Sequence, residues 1–310
     1  MLSRRLLRIK VVQGLYSHLS KPGQTIENTY SEVLLSAQRC YELYILTFSF
    51  IVTVRDYAQG RIDIGLSKQL PSESEKNPNL RFVENPVVVL LGQSENLKKA
   101  LAQQSWISAD TLIKDVYNEM CASDYFKRYM DKKDVTFEDH RRMAIDFYLH
   151  HIEDNPLFEQ EIEERSIFWV DNVEYALSFI VQTLGALTAQ EADIKLPAPY
   201  KSQEDKEFVE QLARASMFGV EQNTAVINEL IENWDLERVA FMDKVIMLVA
   251  IAELTTCDSI PVKATLDEYI EIAKYYSTPQ SASFINGVLN KAVANLTISG
   301  RIKKSGRGLI

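Results

Sequence analysis

Eight consecutive apolar residues, Val245-Ile-Met-Leu-Val-Ala-Ile-Ala252, lie in a stretch that otherwise reads as helix. A helix that is apolar on every side must be covered on every side, so this segment predicts the axle of a helical bundle. Its neighbours carry the matching one-sided stripes. Phe208 and Leu212 mark one helix before it, and Val226, Ile227, Leu230, Ile231 and Trp234 mark another. Two helices follow. Pro261 sits at the start of the first, where its missing N–H costs nothing, and Leu266, Ile270 and Ala273 recur at helical spacing. Thr278-Pro279 breaks the pattern, and Ser281 or Ser283 can cap the last helix. Asn286-Gly287 stands inside that helix. Glycine costs about 1 kcal/mol in a helix interior, so a close-packed neighbour is expected there, or else a ligand brought near the backbone.

The rest of the chain reads as helix too. From Arg4 to Leu19, Ile9, Val12, Tyr16 and Leu19 form one apolar stripe, which Lys21-Pro22-Gly23 ends. Arg4 and Arg8, one turn apart at its edge, are expected to reach a single phosphate track. Amphipathic helices separated by polar linkers run from about residue 24 to 165, the clearest linker being 69–78. Pro86-Val-Val-Val-Leu-Leu91 is apolar enough for a short buried strand, but no turn and partner strand flank it, so it is read as helix. A helix is expected over 166–187, then a long exposed linker from Ala192 to Gln203 with Pro197 and Pro199. The expected class is all-α, without internal repeats.

Charge narrows what such a bundle does. The net charge is −9, yet the first ten residues hold Arg4, Arg5, Arg8 and Lys10 with no acid, and the last ten hold Arg301, Lys303, Lys304 and Arg307, again with no acid. A body this acidic does not bind nucleic acid over its whole surface, but it can do so where the fold brings its ends together. Three cations at a helix start oppose the helix dipole, which points to a functional reason for them. Residues 152–174 carry eight acids and one base, Arg165, which reads as a solvated face or as a dock for a basic partner.

Other chemistry is sparse. No phosphate-binding glycine loop, dinucleotide fingerprint, HExxH or GxSxG occurs. His18, His140, His150 and His151 are scattered, and the adjacent pair points to different helix faces. Glu268 and Glu271 read as a solvated helix face, with Lys274 supporting Glu271. The chain is therefore not expected to be an enzyme, and no cofactor or metal is expected. Cys40, Cys121 and Cys257 are far apart and odd in number, as in a reducing cytoplasm. The apolar window Tyr44 to Val54 is too short for a bilayer, and Arg8 and Lys10 interrupt any signal-peptide core.

Two separated sets of residues carry a family resemblance. Arg4-Arg5-Leu-Leu-Arg8 leading to Gln13-Gly-Leu-Tyr16 resembles the RRxxR…QxLY helix of the bacterial transcription antitermination factor NusB family. The C-terminal third adds Trp234, Arg238, Asp243, Ala252-Glu253-Leu254, Ile260-Pro261-Val-Lys263, Asp267-Glu268, Ala273-Lys274 and Phe284-Ile-Asn-Gly-Val-Leu289. The resemblance covers roughly 1–20 and 204–298.

It implies two small packed helical bundles of NusB type. It also implies binding of boxA-type RNA together with the small-subunit ribosomal protein NusE, in the RNA polymerase elongation complex. By position it makes Arg4, Arg5 and Arg8 phosphate contacts, and puts Tyr16, Asp243, Gln280 and Phe284 near RNA or partner, with Phe284 suited to base stacking. A homodimer is compatible with it, and a membrane is not expected.

The chain departs from the pattern at three points. Leu248 stands where many relatives have arginine, Asp267 replaces a common asparagine, and a long stretch has no counterpart in a typical member. The expected layout is a first helix at 1–20, a helical insertion at 21–200, the remaining core at 201–298 and a basic, disordered tail at 299–310. The competing readings are a protein-interaction scaffold that uses the acidic insertion, and the RNA-binding part of an RNA methyltransferase. Nothing in the chain resembles a nucleotide-cofactor domain for the latter.

Overall fold

A computed structural model describes residues 1–309 except 22, 103, 107 and 232–238. Trp234 and Arg238 lie outside the described residues. Among those described there are fifteen α-helices and no strand beyond a single bridge, Leu2 with Tyr200. The all-α expectation holds.

The chain forms two compact units, one made of residues 2–38 and 199–310, the other of residues 39–198 with Met1. The division thus falls at 38/39 and 198/199. On the N-terminal side this differs from the expected boundary at 20/21, because the start of the second helix packs with the first unit. Helices α1 (Arg4–Ser20) and α2 (Ile26–Ser67) come first, and residues 26–38 of α2 belong with α1. Where the two meet, a Cβ on Gly14 would lie 2.2 Å from Val33 Cγ2, so the crossing admits only glycine. His18 Nδ1 and Thr29 Oγ1 bond at 2.9 Å beside it.

The inserted unit takes the rest of α2. It adds α3 (Glu73–Lys76), α4 (Pro86–Gln93), α5 (Glu95–Leu101), α6 (Asp110–Ala122), α7 (Asp124–Asp131), α8 (Phe137–His151), α9 (Pro156–Arg165) and α10 (Val173–Gly185). The apolar run at 86–91 is helical because Asn85 Oδ1 accepts the Val87 and Val88 N–H groups and Pro86 occupies the first turn. Asn155-Pro156 starts α9 in the same way. The helix expected over 166–187 is shorter, with a 3₁₀ turn at Ile167–Trp169 before α10.

Aromatic residues fill this core. The Phe50 ring lies 4.7 Å from Trp106 and 5.9 Å from Phe158, and all three are buried. The polar ends of buried Trp106 and Tyr148 donate to the α2 carbonyls of Leu46 and Phe48 at 2.9 and 2.6 Å. The segment after α10 is not the exposed linker expected. Ile194 is fully buried, and Asp193 accepts hydrogen bonds from the Ser94 hydroxyl and the Asn96 N–H.

The other unit is completed by α11 (Gln203–Phe218), α12 (Val220–Leu230), α13 (Phe241–Thr256), α14 (Val262–Tyr276) and α15 (Ser281–Ile298). Helix α13 is the predicted axle: Val245 to Leu254 is buried without a break, and α1, α11, α12, α14 and α15 all pack on it. Among the described residues no helix is long and apolar enough to cross a membrane.

Candidate nucleic-acid interface

The three N-terminal arginines project from the first turns of α1 toward three different helices, and each meets a carboxylate. Arg4 Nε binds Asp205 Oδ1 at 2.7 Å, and its Nη2 lies 3.8 Å from Glu204. Arg5 grips both oxygens of Glu268 on α14, at 2.7 and 3.0 Å. Arg8 grips both oxygens of Glu253 on α13, at 2.7 and 2.8 Å. The cations that oppose the dipole of α1 are thus compensated within the protein, by ion pairs that sew α1 to α11, α13 and α14.

Arg8 differs from the other two. It is 3% exposed and Glu253 is 0% exposed, and the carboxylate also accepts the Thr265 and Tyr269 hydroxyls, each at 2.9 Å. Burial opposes the charge on Arg8, but the hydrogen bond and charge of Glu253 outweigh it, so the guanidinium is held charged. The expectation that Arg8 joins Arg4 on a phosphate track is corrected: it is a core residue. Arg4 and Arg8 both lie over the buried Phe208 ring, 5.4 and 5.1 Å from its centre. Beneath them, burial and the Glu253 charge push the Cys257 thiol up to about 12.

The C-terminal basic segment reaches the same place. Arg307 Nη2 bonds Glu204 Oε2 at 2.7 Å, the oxygen that Arg4 also approaches. Lys304 Nζ donates to the Cys257 carbonyl at 3.0 Å, and Ser305 N to the Asp258 carbonyl at 3.0 Å. The tail expected to be disordered is therefore docked, and the two basic ends of the chain converge on Glu204.

The other candidates gather elsewhere on this unit. Tyr16 lies twelve residues beyond Arg4, roughly 18 Å along α1. It packs edge-on to Phe241 with ring centres 5.0 Å apart, and both rings are partly exposed, at 39% and 41%. Two residues beyond Phe241, Asp243 is buried and accepts the Ser277 and Ser281 hydroxyls, the latter at 2.8 Å. It fixes the turn from α14 into α15 and offers no outward face. Neither Ser281 nor Ser283 caps α15: exposed Gln280 occupies the cap position without a side-chain bond, while Ser281 is turned toward Asp243. Phe284 is half-buried one turn on.

Gly287 is exposed, and among the described residues a Cβ there would meet nothing within 4 Å, so the expected close-packed neighbour is not among them. Gly287→Ala should therefore stabilise this unit by about 0.5–1 kcal/mol, read as slower amide hydrogen exchange along α15, since only helix propensity changes. Faster exchange would reveal a packing role. The glycine leaves bare backbone in a stripe at helical spacing with Gln280, Phe284 and exposed Lys291. Sequence reasoning missed Phe241 and Lys291, although the α15 spacing could have flagged Lys291. Leu248, where the resemblance implies arginine, is fully buried, so no cation faces outward there.

These features define an all-α bundle protein whose candidate site residues are cations and half-exposed aromatics borne on its first and last helices. Residues 173–294 match the NusB family model. Three transcription antitermination proteins NusB are similar to the chain. That of Salinibacter ruber is 39% identical over 105 residues, covering 34% of this chain and 66% of that protein. That of Chloroherpeton thalassium is 37% identical over 105 residues, covering 34% and 50%. That of Geobacillus kaustophilus is 40% identical over 92 residues, covering 28% and 71%. The chain belongs to the NusB family. It spans between half and about two-thirds of the length of the first two relatives. No solved structure matches.

Proposed function

We propose that this protein is a non-enzymatic, cytoplasmic transcription antitermination factor. It binds boxA-type single-stranded RNA with the ribosomal protein NusE in the elongation complex. Family membership supports the antitermination role. The observation that carries the RNA reading is that Arg4 and Arg5 on α1 stay solvent-accessible within their ion pairs. The Gln280–Phe284–Gly287–Lys291 spacing on α15 adds a second patch on the same unit. Arg4 and Arg5 hold phosphates, while Tyr16 and Phe284 offer ring faces to bases. Gln280 offers a hydrogen-bonding amide. Asp243 acts indirectly, by holding the turn that presents Gln280 and Phe284.

The test is a titration of boxA RNA against a scrambled RNA at two salt concentrations, with and without NusE. The wild type should prefer boxA. Arg4→Ala/Arg5→Ala should weaken both RNAs and reduce the salt slope by about one for each phosphate that is no longer held. Phe284→Ala should cost about 1–3 kcal/mol on boxA. Absence of any boxA preference, with or without NusE, would sink the reading.

A second reading, recruitment of a basic partner by the inserted unit, draws support from a cavity of about 470 Å³ lined by Glu153, Asp154, Glu159, Glu163, Asp171 and Glu174. Binding of an oligolysine peptide that survives Glu159→Gln/Glu163→Gln/Glu174→Gln would remove that support.

A further inference from the structure

The carboxylates that hold the accessible arginines have a consequence for binding. Arg5 presents Nε and Nη2 to the two oxygens of Glu268, the fork geometry in which a guanidinium also grips two phosphate oxygens. Glu204 is shared between Arg4 and Arg307 through one oxygen. These pairs are solvent-accessible: the side chains are 42% exposed for Arg5, 25% for Glu268 and 62% for Glu204. Exposed pairs are weak and exchange readily, whereas the buried Arg8–Glu253 pair cannot open without disturbing the core.

On the reading that Arg4 and Arg5 contact RNA phosphate, we propose that Glu268 and Glu204 are built-in phosphate mimics that hold down sequence-independent binding. A phosphate arriving at Arg5 displaces a carboxylate, which stays close by as a repelling charge. It also draws a cation from solution as it is released, cancelling part of the gain from counterions freed by the RNA. A polyanion with phosphate contacts alone is therefore held weakly. An RNA that also fills the Gln280–Phe284 surface overcomes the cost.

The test uses the full chain carrying Glu268→Gln, Glu204→Gln or both, titrated with boxA and scrambled RNA over a salt series. Each substitution should tighten both RNAs by a similar factor, about three- to fivefold, the scale of one exposed ion pair. Each should also steepen the salt slope, and Arg5→Ala should abolish the gain from Glu268→Gln. Glu204 bears on no core contact, so its variant keeps the test valid if Glu268→Gln lowers the Tm. Unchanged or weaker binding in Glu204→Gln and in a stably folded Glu268→Gln overturns the proposal. If the wild type still prefers boxA in that case, the RNA reading stands without it. If the wild type binds neither RNA, a double variant that acquires binding supports masking, and one that stays inert overturns both.

Discussion

Arg8→Ala should destabilise the α1/α11–α15 unit by about 3–5 kcal/mol, because it leaves Glu253 charged and buried with only two hydroxyl donors. The pair is bidentate, and both side chains are almost completely out of water. Truncating one member removes the compensation but keeps the cost of burying the other. Amide hydrogen exchange along α13 and α14 is the appropriate measurement, since the chain has two units and one global melting curve would mix them. Exchange as slow as in the wild type would contradict the assignment. Arg8→Lys should fall between the two, since an ammonium cannot supply two parallel N–H donors. Any loss of RNA binding in Arg8→Ala then reports a damaged bundle, and Arg4 and Arg5 become the informative sites for phosphate contact.

Phe50→Ala should cost about 3–5 kcal/mol in the inserted unit. Its ring is fully buried among Trp106, Phe147 and Phe158, with Trp106 4.7 Å away. Three large rings cannot collapse onto an alanine without leaving rotamer wells, so a cavity remains. Trp106 makes the change visible in tryptophan fluorescence, as a lower denaturant midpoint and an altered native-state spectrum. A midpoint within about 1 kcal/mol of wild type would mean that the cluster repacks freely. No residue proposed to face RNA lies between 39 and 198, so boxA affinity below the transition should stay at the wild-type value. A loss would give the inserted unit a share in RNA binding.

Much of the architecture was legible in local pattern. The apolar run 245–252 announced a helix buried all round, and α13 is that helix. Pro86 to Leu91 was ambiguous by periodicity alone, but Asn85 before Pro86 carries a start signal, a capping amide followed by a residue that needs no donor. The division of the chain was less legible. Residues 26–38 join the first unit through Gly14 against Val33, a fit of shapes that no composition shift marks.

The candidate site was half legible. Three cations at the head of α1 pointed to a functional reason, but each is met by a carboxylate of the protein, and nothing local says whether such compensation comes from RNA or from protein. The partners Asp205, Glu253 and Glu268 lie 201, 245 and 263 residues away. Glu268 in particular looked like a solvated helix face.

The sequence alone determined the helical class, the buried axle, the family-bearing residues and the unfavourable placing of Arg4, Arg5 and Arg8 against the helix dipole, because these follow from periodicity, capping and near-neighbour electrostatics. Only the tertiary structure decided that Arg8 is a core residue while Arg4 and Arg5 stay within reach of solvent, that the C-terminal basic segment docks beside them at Glu204, and that Gly287 faces open space. Those outcomes depend on which distant groups are packed against a side chain. That packing sets its desolvation and its charge partners, and no stretch of neighbouring residues encodes it.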